Sequence, residues 1–409
     1  GADPLAEAPM LAVALRQSVR NGGQVHVYDP RPVELPCKFE HTPLGPLQLL
    51  ELLNGGNSPE LSKVRDLLAS ADRPVIVAGG DLLGAGGLLK VQKLAAESSN
   101  DTRSCLVHPV LAGPNSFGAA LLSLPEQDDL LTRLESGRIK MLVCVETDPL
   151  LEAPEGERFG SALSHLDELV VLDYLPTPLS VHANLFIPTS TPVESDGTFI
   201  NNEGRQQLYA SVITPRLPIS MTGGGDHPPR EFMPVAPGSD PKPAWGLFQQ
   251  LLGAPGDLDA VRFRMKETIP RLVDFSKLEP GGINCRVSDI DERSIYTDDP
   301  QVPPEGSLQL VVSPARYGSD LLSRFSEKLS SRFPAARLLL NPADAAARHL
   351  QDGTKVVLET EAGTYNLLLS FAEKMAPGCA LVENGAAFPH LVPGGKLEFC
   401  QVKAGAIHV

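Results

Sequence analysis

The chain has 409 residues, and its 50 acidic side chains against 35 basic ones give a formal net charge of −15 at pH 7. This acidity argues against binding to duplex nucleic acid, which requires a basic surface. The aromatic content of 5%, with Trp245 as the one tryptophan, argues against a stacking platform for single strands. An apolar fraction of 42% with 21% charged residues is typical of a globular protein, and the length suggests two or three domains.

Residues 1–213 show alternating helical and strand patterns. The runs 74–78, 139–145 and 169–172 are apolar on both faces, which is typical of strands inside a parallel sheet. Further predicted elements are helices at 8–20, 47–53, 61–68 and 88–97 and a short strand at 24–28. The sequence therefore predicts an α/β domain with a doubly wound parallel sheet.

Residues 214–306 form a second predicted region. Prolines and glycines crowd 214–243, so we predict an extended connection there. Helices are predicted at 244–252 and 261–275, and a second polar connection at 279–306.

Residues 307–409 form a third predicted region of short strands and turns. Strands are predicted at 308–312, 337–340, 355–360, 364–371 and 379–382, and a helix at 320–330. Asn341 and Pro342 predict the start of another short helix, because Asn is a favoured cap and Pro a favoured first-turn residue. This pattern predicts a small β-barrel that carries one or two helices.

Targeting and membrane signals are not visible. The longest uncharged stretch, 104–125, contains His108, Pro109 and Asn115, which a lipid-facing helix would not carry. No basic segment followed by an apolar core predicts a signal peptide. Because the chain starts Gly-Ala-Asp-Pro without Met, we expect a processed or truncated start.

The cysteine and histidine spacings favour no metal site. No two cysteines lie within four residues of each other, so zinc-ribbon and ferredoxin-type cluster spacings are absent from the sequence. We predict reduced cysteines packed as small hydrophobic residues in a reducing compartment. No HxxH or HxxxH pair and no GxSxG turn supports a metal hydrolase or a serine triad.

Two turns after predicted strands each allow two interpretations. The glycine-rich stretch 79–87 could bring backbone amides to a phosphate, or could be a tight strand-to-helix connection, since its spacing is not GxGxxG. The stretch 146–149, Glu-Thr-Asp-Pro, lies where α/β sheets place ligands, but Pro149 equally indicates a simple turn.

The segment 184–207 reads NLFIPTSTPVESDGTFINNEGRQQ and concentrates polar residues on closely spaced turns. Turn signals at 196–197 and 201–204 flank a short predicted strand at 198–200. Arg205 could hold an anion or a carboxylate in a bidentate grip. The alternative is a structural knot in which Arg205 pairs with Glu194 or Glu203.

This segment resembles one found in molybdopterin oxidoreductases. The form VESDGTFINNEGRQQ is most similar to the large iron–sulfur subunits of NADH:quinone oxidoreductase, respiratory complex I. Further stretches that resemble this family are 5–20, PNSFG at 114–118, YGSDLLS at 317–323, LNPADAA at 340–346 and DGTKV at 352–356.

The resemblance implies α/β domains followed by a six-stranded double-psi β-barrel, the molybdopterin-dinucleotide-binding type. It places the iron–sulfur clusters and the molybdenum ligand in an N-terminal part that this chain lacks. It therefore implies a scaffold portion without a redox cofactor, inactive alone, that supports electron transfer from NADH to quinone. The expected partners are other peripheral-arm subunits of complex I, on the cytoplasmic side of the inner membrane, without nucleic acid and without direct membrane insertion.

The alternative is the cofactor-binding half of an active molybdopterin oxidoreductase such as a formate dehydrogenase. In that case the pterin-binding residues implied by the resemblance are Asp196, Asn201, Glu203 and Arg205. No catalytic or metal-binding residue is predicted in either case. Two separated family motifs argue against a third possibility, an unrelated α/β small-molecule binder.

Overall fold

The computed structural model describes residues 1–55, 58–122, 130–153, 155–212, 242–253, 256–285, 303–361, 363–385 and 397–405. The chain divides into two compact units, Gly1–Gly113 with Ile290–Val409, and Pro114–Asp289. Most of the predicted connections 214–243 and 279–306 lies outside the described residues, so the domain boundaries at 213 and 306 stay predictions.

The first unit begins with helices and two small parallel sheets. Its helices are α1 (Pro4–Glu7), α2 (Pro9–Arg20), α3 (Pro46–Leu53), α4 (Pro59–Ser70) and α5 (Gly80–Glu97). Its strands are β1 (His26–Tyr28), β2 (Glu40–Thr42), β3 (Val75–Gly79) and β4 (Leu106–Val110). Strand β1 pairs with β2 and β3 with β4, both in parallel.

The second unit contains a parallel and an antiparallel sheet of three strands each. Its helices are α6 (Ser116–Leu122), α7 (Leu130–Glu135), α8 (Pro149–Glu152), α9 (Gly156–Ala162), α10 (Pro178–His182), α11 (Ala244–Leu251) and α12 (Leu258–Thr268). Its strands are β5 (Met141–Val145), β6 (Glu168–Asp173), β7 (Leu185–Pro188), β8 (Gly197–Ile200), β9 (Arg205–Tyr209) and β10 (Ile283–Asn284). The parallel sheet has the order β5-β6-β7, and the antiparallel sheet has the order β10-β9-β8.

The last part of the first unit is a closed six-stranded barrel. Its strands are β11 (Leu308–Pro314), β12 (Arg337–Leu340), β13 (Lys355–Thr360), β14 (Gly363–Phe371), β15 (Cys379–Asn384) and β16 (Glu398–Ala404). They close in the order β11-β15-β12-β14-β13-β16. Two short helices, α13 (Leu321–Arg324) and α14 (Pro342–Ala347), lie between the strands in the sequence. The predicted fold class, an α/β region followed by a C-terminal β-barrel, is confirmed.

Local sequence explains where these helices begin. Asn341 caps α14 by accepting from the amide of Ala343 at 3.0 Å, as predicted, and Pro342 fills the first turn. Ser58 caps α4 in the same way, with 3.0 Å between its hydroxyl and the Leu61 amide. Side-chain caps satisfy amides that the first helical turn leaves without partners.

Several element bounds differ from the sequence predictions. The helix predicted at 261–275 ends at Thr268, because Ile269 precedes Pro270 and is pushed out of the helical region. The helix predicted at 320–330 is only Leu321–Arg324 with a later 3₁₀ turn at Ser330–Arg332. The strands that were not predicted are β2, β4, β7, β9, β10 and β16. Strand β4 contains Pro109, which weakens the sequence signal of a strand.

The search for a membrane-crossing helix gave no candidate in the described part of the chain.

The barrel core comes from strict alternation along its strands. On β14, Leu367 and Leu369 point inward and are 3% and 0% exposed, whereas Leu368 between them is 41% exposed. Leu369 lies opposite Leu338 of β12, which is also fully buried. Inward leucines from neighbouring strands therefore fill the barrel.

We expect Leu369→Ala to lower the free energy of unfolding by about 2–5 kcal/mol, because it leaves a cavity in a closed core. Leu368→Ala on the same strand is the matched control and should cost less than about 1 kcal/mol, since its side chain remains partly in water. Chemical denaturation of both variants measures the difference. Equal losses would contradict the inward and outward assignment.

Candidate functional site

The hairpin of β8 and β9 carries the predicted site residues, and Asn201 organises its turn. The Asn201 Oδ1 atom accepts from the amides of Glu203 and Arg205, at 3.0 Å each. Gly204 has a φ of +77°, a left-handed conformation that favours glycine, and Phe117 packs against it. The polar side chain of Asn201 is thus used to fold the turn.

Arg205 and Glu203 face the neighbouring backbone and each other. The Arg205 guanidinium donates to the carbonyls of Gly281 and Gly282, at 3.3 Å each, and its Nε lies 3.5 Å from Oε2 of Glu203. Of the two predicted carboxylate partners, Glu203 is the one found here. Glu194 instead accepts from the amide and hydroxyl of Thr191, at 3.0 and 2.8 Å.

Asp196, the remaining predicted residue, holds the other end of the hairpin. Its Oδ1 atom accepts from the amide of Ser211 at 2.7 Å. The four residues that the sequence singled out therefore lie on one hairpin, and their described contacts are mainly to its backbone and to the backbone beside it.

A second family-like motif contacts the same hairpin. Asn115, in the stretch 114–118, accepts at Oδ1 from the amide of Ile200 at 2.8 Å. Ile200 is the last residue of β8 and is 4% exposed. Two motifs that are 85 residues apart in the sequence are thus joined by one side-chain hydrogen bond.

Gln206, which the sequence analysis did not single out, is the most buried polar residue of this hairpin. Its amide donates to the carbonyl of Val273 at 3.2 Å and accepts from the Val273 amide at 3.0 Å. The Cys285 thiol donates at 3.1 Å to the Gln206 Oε1 atom, which also accepts from the Val273 amide. Gln206 is 0% exposed, and its two bonds to the Val273 backbone are partly buried. An amide inside a short polar strand gives no sequence signal of such a role.

The carboxyl ends of β5 and β6 carry acidic side chains. Asp148 is fully buried and accepts from the amides of Leu150 and Leu179, at 2.9 Å each. It caps α8, so the stretch 146–149 is a helix-starting turn, with Glu146 in a left-handed conformation at its exposed edge. Asp173 ends β6 and is 2% exposed.

Desolvation raises the pKa values of two of these carboxyl groups. For Asp173, burial is the largest cause, and the charges of Glu152 and Asp148 raise the pKa further against two backbone hydrogen bonds. For Glu146, desolvation is the largest cause and raises the pKa; the nearby Thr189 side chain lowers it, and the charge of Asp173 raises it further. This end of the sheet is therefore unfavourable for anions.

The glycine-rich stretch 79–87 is packed against protein side chains. A Cβ on Gly80 would lie 3.3 Å from Leu111, and one on Gly87 would lie 2.8 Å from Leu83. Gly84, with a φ of +64°, interrupts α5 inside this stretch. Of the two predicted interpretations, these contacts favour the tight strand-to-helix connection.

An acidic residue, Asp81, lies in the first turn of α5. Burial, assisted by the charge of Glu7 and opposed by Arg31, raises the pKa of Asp81 to about 6. The Arg31 guanidinium is itself occupied, because it donates to both carboxylate oxygens of Asp29 at 2.9 Å. Neither group favours a phosphate at this turn.

The described cysteines have the character of packed thiols. Burial raises the pKa of Cys144 to about 11 and the pKa values of Cys379 and Cys400 to about 12. Within the part of the chain that is described, no three His, Cys, Asp or Glu residues are grouped as metal ligands.

Comparisons with known proteins match two regions of the chain to two family models. Residues 1–217 match the family "Molybdopterin oxidoreductase", and residues 310–397 match the "Molydopterin dinucleotide binding domain".

Similar curated proteins are G subunits of NADH-quinone oxidoreductases. The protein of Shigella flexneri is 22% identical over 79% of this chain and 45% of its own length. The Salmonella typhi protein is 22% identical over 81% of this chain and 45% of its own length. The Escherichia coli O157:H7 protein is 30% identical over 41% of this chain and 19% of its own length. The chain thus spans less than half the length of these relatives.

Among solved structures, acetylene hydratase from Pelobacter acetylenicus is similar with a TM-score of 0.42 and 14% identity. The similarity covers 68% of this chain and 46% of the hydratase chain.

We expect Gln206→Ala to lower the free energy of unfolding by about 1–3 kcal/mol, because it leaves the partly buried amide and carbonyl of Val273 without their side-chain partners. Gln207→Ala, at the neighbouring position of the same strand, should have a smaller effect. Arg205→Ala should also cost less, since 38% of the Arg205 side chain is exposed and water replaces its hydrogen bonds. Thermal and chemical unfolding compare the three variants. A loss for Arg205→Ala that equals the loss for Gln206→Ala would contradict this ranking.

The raised pKa of Asp81 predicts a pH-dependent stability. An unfolded Asp ionises near pH 3.8, whereas folded Asp81 holds its proton to about pH 6. The folded state therefore binds more protons between these values, and the contribution of Asp81 to stability falls as pH rises through that window. Unfolding titrations of wild type and Asp81→Asn from pH 4 to 7 test this. The variant should show a smaller decline over the window, and identical profiles would contradict the assignment.

Proposed function

Since the chain belongs to the molybdopterin oxidoreductase family, we propose that it is a scaffold portion of the large iron–sulfur subunit of an NADH:quinone oxidoreductase, without a redox cofactor of its own. The observation that carries this proposal is the similarity to an NADH-quinone oxidoreductase subunit over 79% of the chain. This similarity supports a role for the chain together with other subunits of the complex. We place the scaffold in the peripheral arm, on the cytoplasmic side of the membrane, where it would support electron transfer from NADH to quinone.

The hairpin chemistry supports the scaffold role. Asn201, Glu203 and Arg205 would be the pterin-binding residues in an active enzyme of the family. Here Asn201 accepts two backbone amides of its own turn, and Arg205 donates to two backbone carbonyls. Side chains with these bonds hold the protein together and would have to break them to bind a pterin.

Charge is a second argument, because a molybdopterin dinucleotide carries phosphates. The strand ends of the second unit present Glu146, Asp148 and Asp173, and the first turn of α5 presents Asp81. Leucine side chains lie close to Gly80 and Gly87 in the stretch 79–87. The described residues therefore do not fit the dinucleotide, and we derive no chemical step through it.

The alternative, half of an active molybdenum enzyme, needs that same cofactor. Its support is the family itself, whose two matched regions cover residues 1–217 and 310–397. Metal content and substrate use separate the two functions, because an active enzyme must retain molybdenum and oxidise or hydrate a substrate.

The test uses the full-length protein isolated from its source under conditions that preserve complexes. We expect it to co-purify with iron–sulfur subunits and with NADH:quinone oxidoreductase activity, and to hold far less than one molybdenum per molecule. The purified chain alone should not oxidise NADH with artificial acceptors. Stoichiometric molybdenum, or dye reduction with formate, would contradict the proposal and support the alternative.

A further inference from the structure

A groove of about 510 Å³ runs along one face of α11 in the second unit. Its lining includes Lys242, Pro243, Trp245, Gly246, Gln249 and Gly253, and none of the predicted pterin residues is among its described lining. Ligand clefts in proteins typically enclose about 300–1,000 Å³ and combine apolar walls with a few polar groups. This α11 groove therefore has the size and the composition of a binding site for a small molecule.

Two glycines keep the α11 groove free of side chains. Among the described residues, a Cβ on Gly246 would meet only Pro243, at 3.8 Å, and one on Gly253 would meet no atom within 4 Å. Gly253 has a φ of +60°, which favours glycine. Gly246 lies inside α11, where every residue except proline is more favourable than glycine. The effect of Gly246 is thus to leave space beside the helix.

The indole of Trp245 gives the groove an aromatic wall and an unsatisfied donor. The residue as a whole is only partly buried, and it lines the groove. Its Nε1 atom is buried and has no hydrogen-bond acceptor in the part of the chain that is described. A buried donor without an acceptor is unfavourable, so this N–H indicates that the occupant of the groove supplies an acceptor atom.

The charge of the lining selects the kind of acceptor. Lys242 is the one charged residue in the described lining, and no carboxylate of the described ranges forms an ion pair with it. The carboxamide of Gln249 is already used, because it accepts from Arg264 at 2.8 Å and donates to the carbonyl of Asp257 at 3.5 Å. Gln250, at the exposed edge, can donate or accept. An ammonium and an N–H without partners favour an anionic acceptor.

We propose that the α11 groove binds a free aliphatic monocarboxylic acid of medium chain length. An ionised carboxylate has only acceptors, so it would pair with the Lys242 ammonium and accept from the Trp245 N–H. The aliphatic chain would lie beside the indole, in the space that Gly246 and Gly253 leave open. This inference goes beyond the proposed scaffold role and does not depend on it.

The same lining disfavours three other classes of ligand. A cation would meet the charge of Lys242 and no carboxylate in the described lining. A phosphate group carries up to about two negative charges, which one ammonium does not neutralise. A peptide would bring backbone N–H donors into a lining whose unpaired groups are mainly donors.

The first test measures binding of decanoate, below its micelle-forming concentration, to the purified chain. Trp245 is the one tryptophan of the sequence, so its fluorescence reports on the groove directly, and calorimetry measures the affinity. We expect saturable binding that weakens with salt and shifts the emission to shorter wavelength, because the aliphatic chain excludes water from the indole. Decanol has the same chain without the charge and should bind at least about tenfold more weakly, the range of a lost charge-assisted hydrogen bond.

Three variants assign the contacts. Lys242→Gln should weaken decanoate binding by at least about tenfold. Lys277→Gln is its matched control, because Lys277 is 72% exposed in the same unit and is not in the described lining, and it should leave binding unchanged. Trp245→Phe keeps an aromatic wall but removes the N–H, so calorimetry should show several-fold weaker binding with an unchanged melting temperature.

Gly246→Leu separates a blocked groove from a damaged fold. Leucine is more favourable than glycine in a helix, so the melting temperature should stay the same or rise, while the larger side chain should abolish binding. No saturable binding of decanoate, equal binding of decanol, or unchanged affinity in any of the three groove variants would overturn the proposal. Tighter binding of N-acetyl-leucyl-leucine than of decanoate would overturn it in favour of the C-terminal carboxylate of a peptide.

Discussion

The hydrogen bonds between the Gln206 amide and the backbone of Val273 hold the hairpin that carries the family motif. Gln206 is fully buried and both bonds are partly buried, so their loss leaves polar groups of Val273 without their side-chain partners. Around this pair, Asn201 closes the turn, Arg205 binds the next backbone segment, and Asn115 ties α6 to the end of β8. The motif side chains thus serve the fold itself, and this is the physical basis of the proposed scaffold role.

The buried carboxyl groups at the strand ends have different partners in the two units. In the first unit, Arg31 neutralises Asp29 with two bonds of 2.9 Å, which is how buried charges are usually accommodated. In the second unit, Asp148 accepts hydrogen bonds from two backbone amides, but Asp173 keeps one oxygen without a donor among the described residues.

The sequence predicts the elements with strong periodicity or clear caps. The strands Arg337–Leu340 and Lys355–Thr360 and the cap at Asn341 follow from alternation and from turn chemistry, and the structure has them at the predicted positions. The predicted site residues are also brought together on one hairpin, because turns and short strands are local. The ends of helices near prolines were less well predicted, as Ile269 before Pro270 shows.

The remaining features depend on contacts between distant residues and could not be predicted from local sequence. Nothing in the sequence around Gln206 indicates a partner 67 residues away. The unpaired oxygens of Asp173 and Ser190 likewise depend on the pairing of β6 with β7, and β7 was itself not predicted.

The central claim is that the family motif is used for structure and not for a pterin. An electron cryo-microscopy map of the native complex that contains this chain, at a resolution that shows side chains, tests it most directly. We expect Arg205 bonded to the carbonyls of Gly281 and Gly282 and Asn201 bonded within its turn, with no further density beside them. Density for a pterin or a nucleotide in contact with Arg205 or Asn201 would contradict it.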